Sequence, residues 1–164
     1  NRGAVMKHFI MAAILLVAAK AADASTTLFN PETYPQVHCL ALNVYFESRS
    51  SNLADKAAVA DVVINRVNDS RYPNTVCEVV HDGYKKGRRD CQFSWYCDGK
   101  ADIPKEEDQW AEAQMIAWGM MKFEKYLGIT EGATHYHATY VSPRWAKSLQ
   151  LVGRIGAHIF YRWE

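Results

Sequence analysis

The sequence predicts an α+β fold that is mainly helical, with a small antiparallel β-ribbon. Three observations carry this expectation. Apolar residues recur at three and four over 37–48, 53–67 and 105–126, the spacing of one helix face. Near the C-terminus, over Thr134 to Tyr140, the period changes to two, which is strand spacing. The length of 164 residues, 49% of them hydrophobic, suits one core.

The first apolar run, Phe9 to Ala19, follows Met6-Lys7-His8 and leads into Ala22-Asp23-Ala24. A basic start, a short apolar stretch and small residues in an A-x-A arrangement are the layout of a secretory signal. Residues 1–24 are therefore expected to be upstream sequence, with Met6 as the start, and a leader. The run is about half the roughly 20 residues of a spanning helix, so no stable membrane anchor is expected after cleavage. Without those residues Lys+Arg falls from 19 to 16 and Asp+Glu from 18 to 17, leaving −1 with His uncharged. A near-neutral chain offers phosphates no basic stripe, which argues against a nucleic-acid partner.

Residues 25–36, with Asn30-Pro31 and Pro35, read as an irregular lead-in, and 37–164 as one catalytic domain. Leu40, Ala41, Val44, Tyr45 and Ser48 mark the first helix face, and Glu47 projects from its edge. A charge there is costly unless the protein uses it. The second helix, Leu53 to Val67, has Asn52 as a cap candidate and Asp55 in its first turn, and its wide apolar arc makes it central. Val76 to His81 is a short helical turn stopped by Asp82-Gly83, and Lys85-Lys86-Gly87-Arg88-Arg89 is a solvated loop tip. Pro104 opens a third long helix, Lys105 to Tyr126, whose Met and Trp stripe is core. In the strand after Gly128, His135, His137 and Thr139 share one face and the tyrosines the other. A second strand, Ala157 to Trp163, closes the chain.

Cys39, Cys77, Cys91 and Cys97 all follow the leader, and an even count in an exported chain reads as two disulfides. The expected pairs are Cys77 with Cys91, around the basic tip, and Cys39 with Cys97, tying the Glu47 helix to a Gln92-Phe93-Ser94 strand.

The segment Cys39-Leu40-Ala41-Leu42-Asn43-Val44-Tyr45-Phe46-Glu47-Ser48-Arg49 resembles the opening of the spore-cortex-lytic (SleB-type) cell-wall hydrolase family. Ala58 to Val67, Cys91-Gln92-Phe93-Ser94-Trp95, Thr134-His135-Tyr136-His137 and Gly156-Ala157-His158-Ile159-Phe160-Tyr161 are similar to its further blocks, in the same order. The resemblance implies a lysozyme-like fold of the goose or transglycosylase type and a muralytic glycosidase activity on peptidoglycan glycan strands. It also implies that Glu47 is the catalytic residue.

The residue chemistry reaches Glu47 independently. A carboxyl on an apolar helix edge is partly desolvated, which favours its neutral form, and a neutral carboxyl can protonate a glycosidic oxygen. The plain alternative is a structural ion pair with Arg49 or Arg66. Most glycosidases need a second carboxylate, and Asp61, Asp90 and Asp98 are the candidates, although Asp61 also reads as an exposed helix residue and Asp98-Gly99 as a turn. A lytic transglycosylase needs only one, because the muramic acid 6-hydroxyl attacks the anomeric carbon and one carboxyl serves as acid, then base. Asn65, Gln92, Ser94, Tyr136 and His137 suit the reading of sugar hydroxyls and N-acetyls, and Phe93, Trp95 and Trp145 could stack on sugar rings. Asn65 could equally cap its helix, and Phe93 could be core.

Two other functions remain open at this level. His135, His137 and His158 with Glu47 would make a zinc amidase or peptidase, although no H-E-x-x-H helix is present. A wall-binding module without catalysis would leave Glu47 exposed and replaceable. The expectation is a monomer working without cofactor or metal.

Overall fold

The computed structural model describes residues 27–85 and 90–164, so the leader and most of the basic loop tip lie outside the described residues. Among the described residues four α-helices, two short 3-10 helices and three strands follow one another. The helices are α1 (Pro35–Ser48), α2 (Leu53–Val67), α3 (Val76–Val80) and α4 (Glu107–Phe123), and the 3-10 turns are Ser94–Cys97 and Arg144–Ser148. The strands β1 (His135–Ala138), β2 (Gln150–Ile155) and β3 (His158–Arg162) form one antiparallel sheet in the order β1-β3-β2.

Local chemistry sets the helix limits. Pro35 starts α1, where its missing N–H costs nothing. The side chain of Asn52 accepts from the Asp55 amide at 2.9 Å and caps α2. α4 is shorter at both ends than its periodicity suggests. At its start the Tyr45 hydroxyl accepts from the amides of Lys105, at 2.9 Å, and Glu106, at 3.2 Å, and holds that segment extended. At its end Glu124 turns left-handed (φ 54°), closing the helix with a bond from Lys125 N to Gly119 O.

α2 is central because its small side chains let two layers approach it. Ala60 and Val63 join the main core with Leu40, Val44, Tyr45, Val79, Trp110, Ala113 and Met120 from the other helices. Ala58 and Val62 on its other face meet Ala133 and Phe160, so the sheet packs against α2. Lys56 is buried, with its ammonium on Gln109 and Glu112, and pins α2 to α4. Among the described residues no helix is long and apolar enough to cross a membrane.

Several sequence expectations need correction. The disulfides are Cys39–Cys77 and Cys91–Cys97, not Cys77 with Cys91 and Cys39 with Cys97. Cys39 faces α3, which packs on α1, so Cys77 is its neighbour. The 3-10 turn carries Cys97 back to Cys91. Ser94 therefore begins a 3-10 turn rather than lying in a strand. The ribbon has a third strand, β2, whose sequence signal is weak because it is half-exposed and its register slips between Leu151 and Gly153. Asp61 is fully buried, not an exposed helix residue.

Candidate active site

Glu47 lies one residue before the end of α1, between the α2 layer and the sheet. Its neighbour Ser48 bonds back to Val44 O at 2.8 Å, which keeps the last turn helical. The Tyr136 hydroxyl donates to Glu47 Oε2 at 2.9 Å. β1 presents Tyr136 on the face that also carries His158 and Phe160 of β3, with ring centroids 5.1 and 5.6 Å from that of Tyr136. Burial pushes the Glu47 carboxyl above its usual range, against the Tyr136 hydrogen bond and the charges of His158 and Arg66, which favour the carboxylate. Burial and the facing Glu47 also hold the Tyr136 phenol well above its ordinary value, so it remains a donor.

Arg66 supplies the positive charge from α2. Its guanidinium is buried, donates from Nε to Thr134 O at 2.8 Å, and lies 5.3 Å from the ring centroids of both Tyr72 and Phe93. Arg49 turns away to Glu106, at 3.6 Å. Glu47 is therefore not fixed in the Arg49 ion pair that the sequence allowed.

The candidate second carboxylates are otherwise occupied. Asp61 accepts from the amides of Gly128 (2.8 Å) and Thr130 (3.0 Å) and from the Thr130 hydroxyl (2.5 Å), which fixes the turn before β1. Asp98 accepts from the Lys100 amide at 2.8 Å in a loop. Asp90 is exposed beside Cys91. A further carboxylate, Asp55, which the sequence marked only as a helix-dipole residue, stands on His158, the ring packed against Tyr136. It is fully buried and bonded to His158 Nδ1 at 2.8 Å and to the Ala157 amide at 3.0 Å.

The expected sugar-reading residues separate into groups. Tyr136 is on Glu47. Asn65 is spent on the turn, donating to Thr130 Oγ1 at 3.0 Å and Ala133 O at 2.9 Å, and does not cap its helix, where Asn68 stands. Phe93, 3% exposed, is core beneath Arg66 and not a stacking platform. Gln92 and Ser94 point to solvent on either side of it. Trp95 is 8% exposed, donates to Asn43 Oδ1 at 3.0 Å and stacks on Phe46 with centroids 4.8 Å apart. It nonetheless lines a groove of about 560 Å³ with Phe46, Arg49, Asp98, Asp102 and Glu106. That groove runs beside the residue preceding Glu47. A separate apolar cavity of about 520 Å³, between Phe29, Met115 and Trp118, shares none of these residues.

His137 and Trp145 lie on the other face of the sheet. His137 stacks on Tyr161, with Nε2 and the phenol oxygen 3.0 Å apart, and Trp145 packs its edge on both rings. The alternation that brings Tyr136 to Glu47 carries His137 away from it. His135 is on that outer face too; burial, then Arg66 and Arg71, push it down to about 4. The three histidines of the zinc alternative therefore do not converge, and among the described residues no His, Cys, Asp and Glu group is arranged to hold a metal.

Known structures share this fold. The fold is similar to the catalytic domain of the Bacillus cereus SleB protein, with TM-score 0.57 and 24% identity over 77% of this chain and 89% of that one. It is equally similar to the catalytic domain of the germination-specific lytic transglycosylase SleB from Bacillus anthracis, with TM-score 0.58 and 24% identity over 84% of this chain and 99% of that one. No curated protein matches the sequence. The family model described as Cell Wall Hydrolase matches residues 50–161, from just after Glu47 through α2, the Cys91–Cys97 turn and the sheet to Tyr161. The match covers more than half of the chain, and the chain belongs to the cell wall hydrolase family.

Proposed function

We propose that this protein cleaves the β-1,4 bond between N-acetylmuramic acid and N-acetylglucosamine in peptidoglycan by lytic transglycosylation, with Glu47 as its one catalytic carboxyl and residues 37–164 as the catalytic unit. The observation that carries this reading is the setting of Glu47. It is a desolvated carboxyl bonded on one oxygen by a phenol, whereas Asp55 and Asp61 are fully buried and held by hydrogen bonds. The SleB catalytic domain from Bacillus anthracis, described as a lytic transglycosylase, has a similar fold.

The protonated carboxyl gives its proton to the glycosidic oxygen as the bond from the muramic anomeric carbon to that oxygen breaks. The 6-hydroxyl of the same muramic acid attacks the anomeric carbon, and the Glu47 carboxylate takes the hydroxyl proton. The products are a 1,6-anhydro end and a free 4-hydroxyl; no water is consumed and Glu47 ends protonated. Tyr136 occupies Oε2, so the transferable proton resides on Oε1. The substrate lies outside the cytoplasm, and two disulfides suit an oxidising compartment.

Digestion of purified sacculi in H2¹⁸O tests the chemistry. Transglycosylation leaves muramic ends without ¹⁸O and short of one water in mass. One ¹⁸O per new end would mean hydrolysis instead.

A further inference from the structure

Behind the Glu47 carboxyl lies a buried pair that the proposed reaction does not use. Asp55 of α2 accepts from His158 Nδ1 at 2.8 Å and, on its other oxygen, from the Ala157 amide at 3.0 Å. Gly156 makes this approach possible. Its φ is +57°, and a Cβ there would stand 2.7 Å from the Asp55 Cβ, closer than any side chain tolerates. The β2–β3 turn is thereby clamped to the first turn of α2. Asp55 is 0% exposed and His158 8%. Burial alone would push the Asp55 carboxyl up, but the bonds from His158, Ser51 and the Ala157 amide hold it below its usual range. A buried carboxylate that fixes one imidazole nitrogen also fixes the ring's tautomer and its direction.

The same ring also packs against the tyrosine that bonds Glu47. The His158 and Tyr136 rings cross at 80° with centroids 5.1 Å apart, and Tyr136 bonds Glu47. His158 is also close enough to Glu47 for its charge to favour the carboxylate. The groups facing Glu47 are Tyr136 from β1, His158 from β3 and Arg66 from α2. Those facing His158 are Asp55, Tyr136 and Glu47. Of these, His158 alone combines a buried anionic partner with contact to the residue that holds the carboxyl.

We infer that Asp55 and His158 are positioning residues: Asp55 fixes the imidazole, and the imidazole braces the Tyr136 ring against Glu47. Before proton transfer the brace keeps Tyr136 on Oε2 and the proton on Oε1. Without the brace the Tyr136 bond, which favours the carboxylate, is weakened, and the step in which Glu47 acts as the base is slowed. The catalytic half of this inference rests on the proposed role of Glu47; the geometric half does not.

The test follows the Glu47 carboxyl directly, by ¹³C NMR titration of the full chain, alongside kcat, KM and the pH profile on sacculi. In His158→Asn the amide N–H2 can still donate to Asp55, which preserves the fold, but the ring that packs on Tyr136 is gone. The expected result is a Glu47 midpoint higher by about half a pH unit or more, an alkaline activity limb displaced by the same amount, and kcat down about tenfold with KM little changed. His158→Gln is the second variant and carries the same expectation if His158→Asn does not fold. Asp55→Asn lowers kcat alone but adds little on top of His158→Asn, because it acts through the imidazole. A purely structural pair would lower the melting temperature and leave the Glu47 midpoint and the alkaline limb where they are, and that result in a folded variant overturns the inference. A displaced midpoint with unchanged activity would instead uphold the pair and remove Glu47 from the chemistry.

Discussion

The phenol of Tyr136 donates to Oε2 of Glu47 across 2.9 Å, from the opposite layer of the fold. An oxygen that accepts this bond is the carbonyl oxygen of the protonated acid, so the transferable proton is confined to Oε1. The bond gives a direction to a carboxyl whose proton affinity burial raises.

That bond yields the first prediction. Tyr136→Phe removes the donor while keeping the ring packed against His158 and Phe160. Activity should fall about tenfold or more. The hydrogen bond lowers the Glu47 pKa, so its loss moves the alkaline limb of the pH profile upward. An unchanged limb would show that the bond does not form in solution.

The raised pKa of Glu47 also has a sign in stability. Well below the unfolded value, about pH 4, both states carry the proton and the carboxyl makes no difference. As pH rises through the window up to the higher folded value, the folded state holds more protons than the unfolded one, so stability is lost. Glu47→Gln removes this titration. Its melting temperature should exceed that of the wild type by a few degrees at neutral pH, and the difference should close towards pH 4. Calorimetry across that range checks it; a Glu47→Gln protein less stable at pH 7 would contradict the burial cost.

Asp61 and Glu47 should separate cleanly. Asp61→Ala leaves the amides of Gly128 and Thr130 and the Thr130 hydroxyl without their acceptor, at a cost of about 2–4 kcal/mol of stability. Activity per folded molecule should remain at the permissive temperature. A folded Asp61→Ala protein without activity would return Asp61 to the chemistry.

How much of this was legible in the sequence depends on the kind of signal. α2 was readable to both ends, because Asn52 caps it and its apolar arc is continuous. The period of two puts Tyr136 and His137 on opposite faces, as the structure has them, although the residue types alone suit both to a sugar site. β2 left little trace because an edge strand that is half-exposed has no need to alternate. The roles of Asp61 and Asn65 were invisible, since their partners lie 65 or more residues away in sequence. Asp55 was hidden for the same reason: His158 is 103 residues further on. The one available clue was Gly156-Ala157-His158, where a glycine before a histidine signals a close approach.

The disulfides differ in loop length, so their contributions should differ. Cys39–Cys77 closes a separation of 38 residues and Cys91–Cys97 one of six. Replacing the first pair by alanine should cost about 4 kcal/mol and the second about 2 kcal/mol. Denaturant unfolding measures both, and peptide mapping without reductant should recover the two pairs as described. A Cys77–Cys91 or Cys39–Cys97 peptide would contradict the packing of α3 on α1.

The most direct measurement is mass analysis of the muropeptides released from purified sacculi by the wild type and by Glu47→Gln, with folding of the variant verified by melting temperature and far-UV dichroism. The account predicts 1,6-anhydromuramic ends from the wild type and a rate about 10²–10⁴ lower from the variant, with binding to sacculi retained. Reducing ends, cut peptide stems, or a folded Glu47→Gln protein that releases muropeptides at the wild-type rate would contradict it.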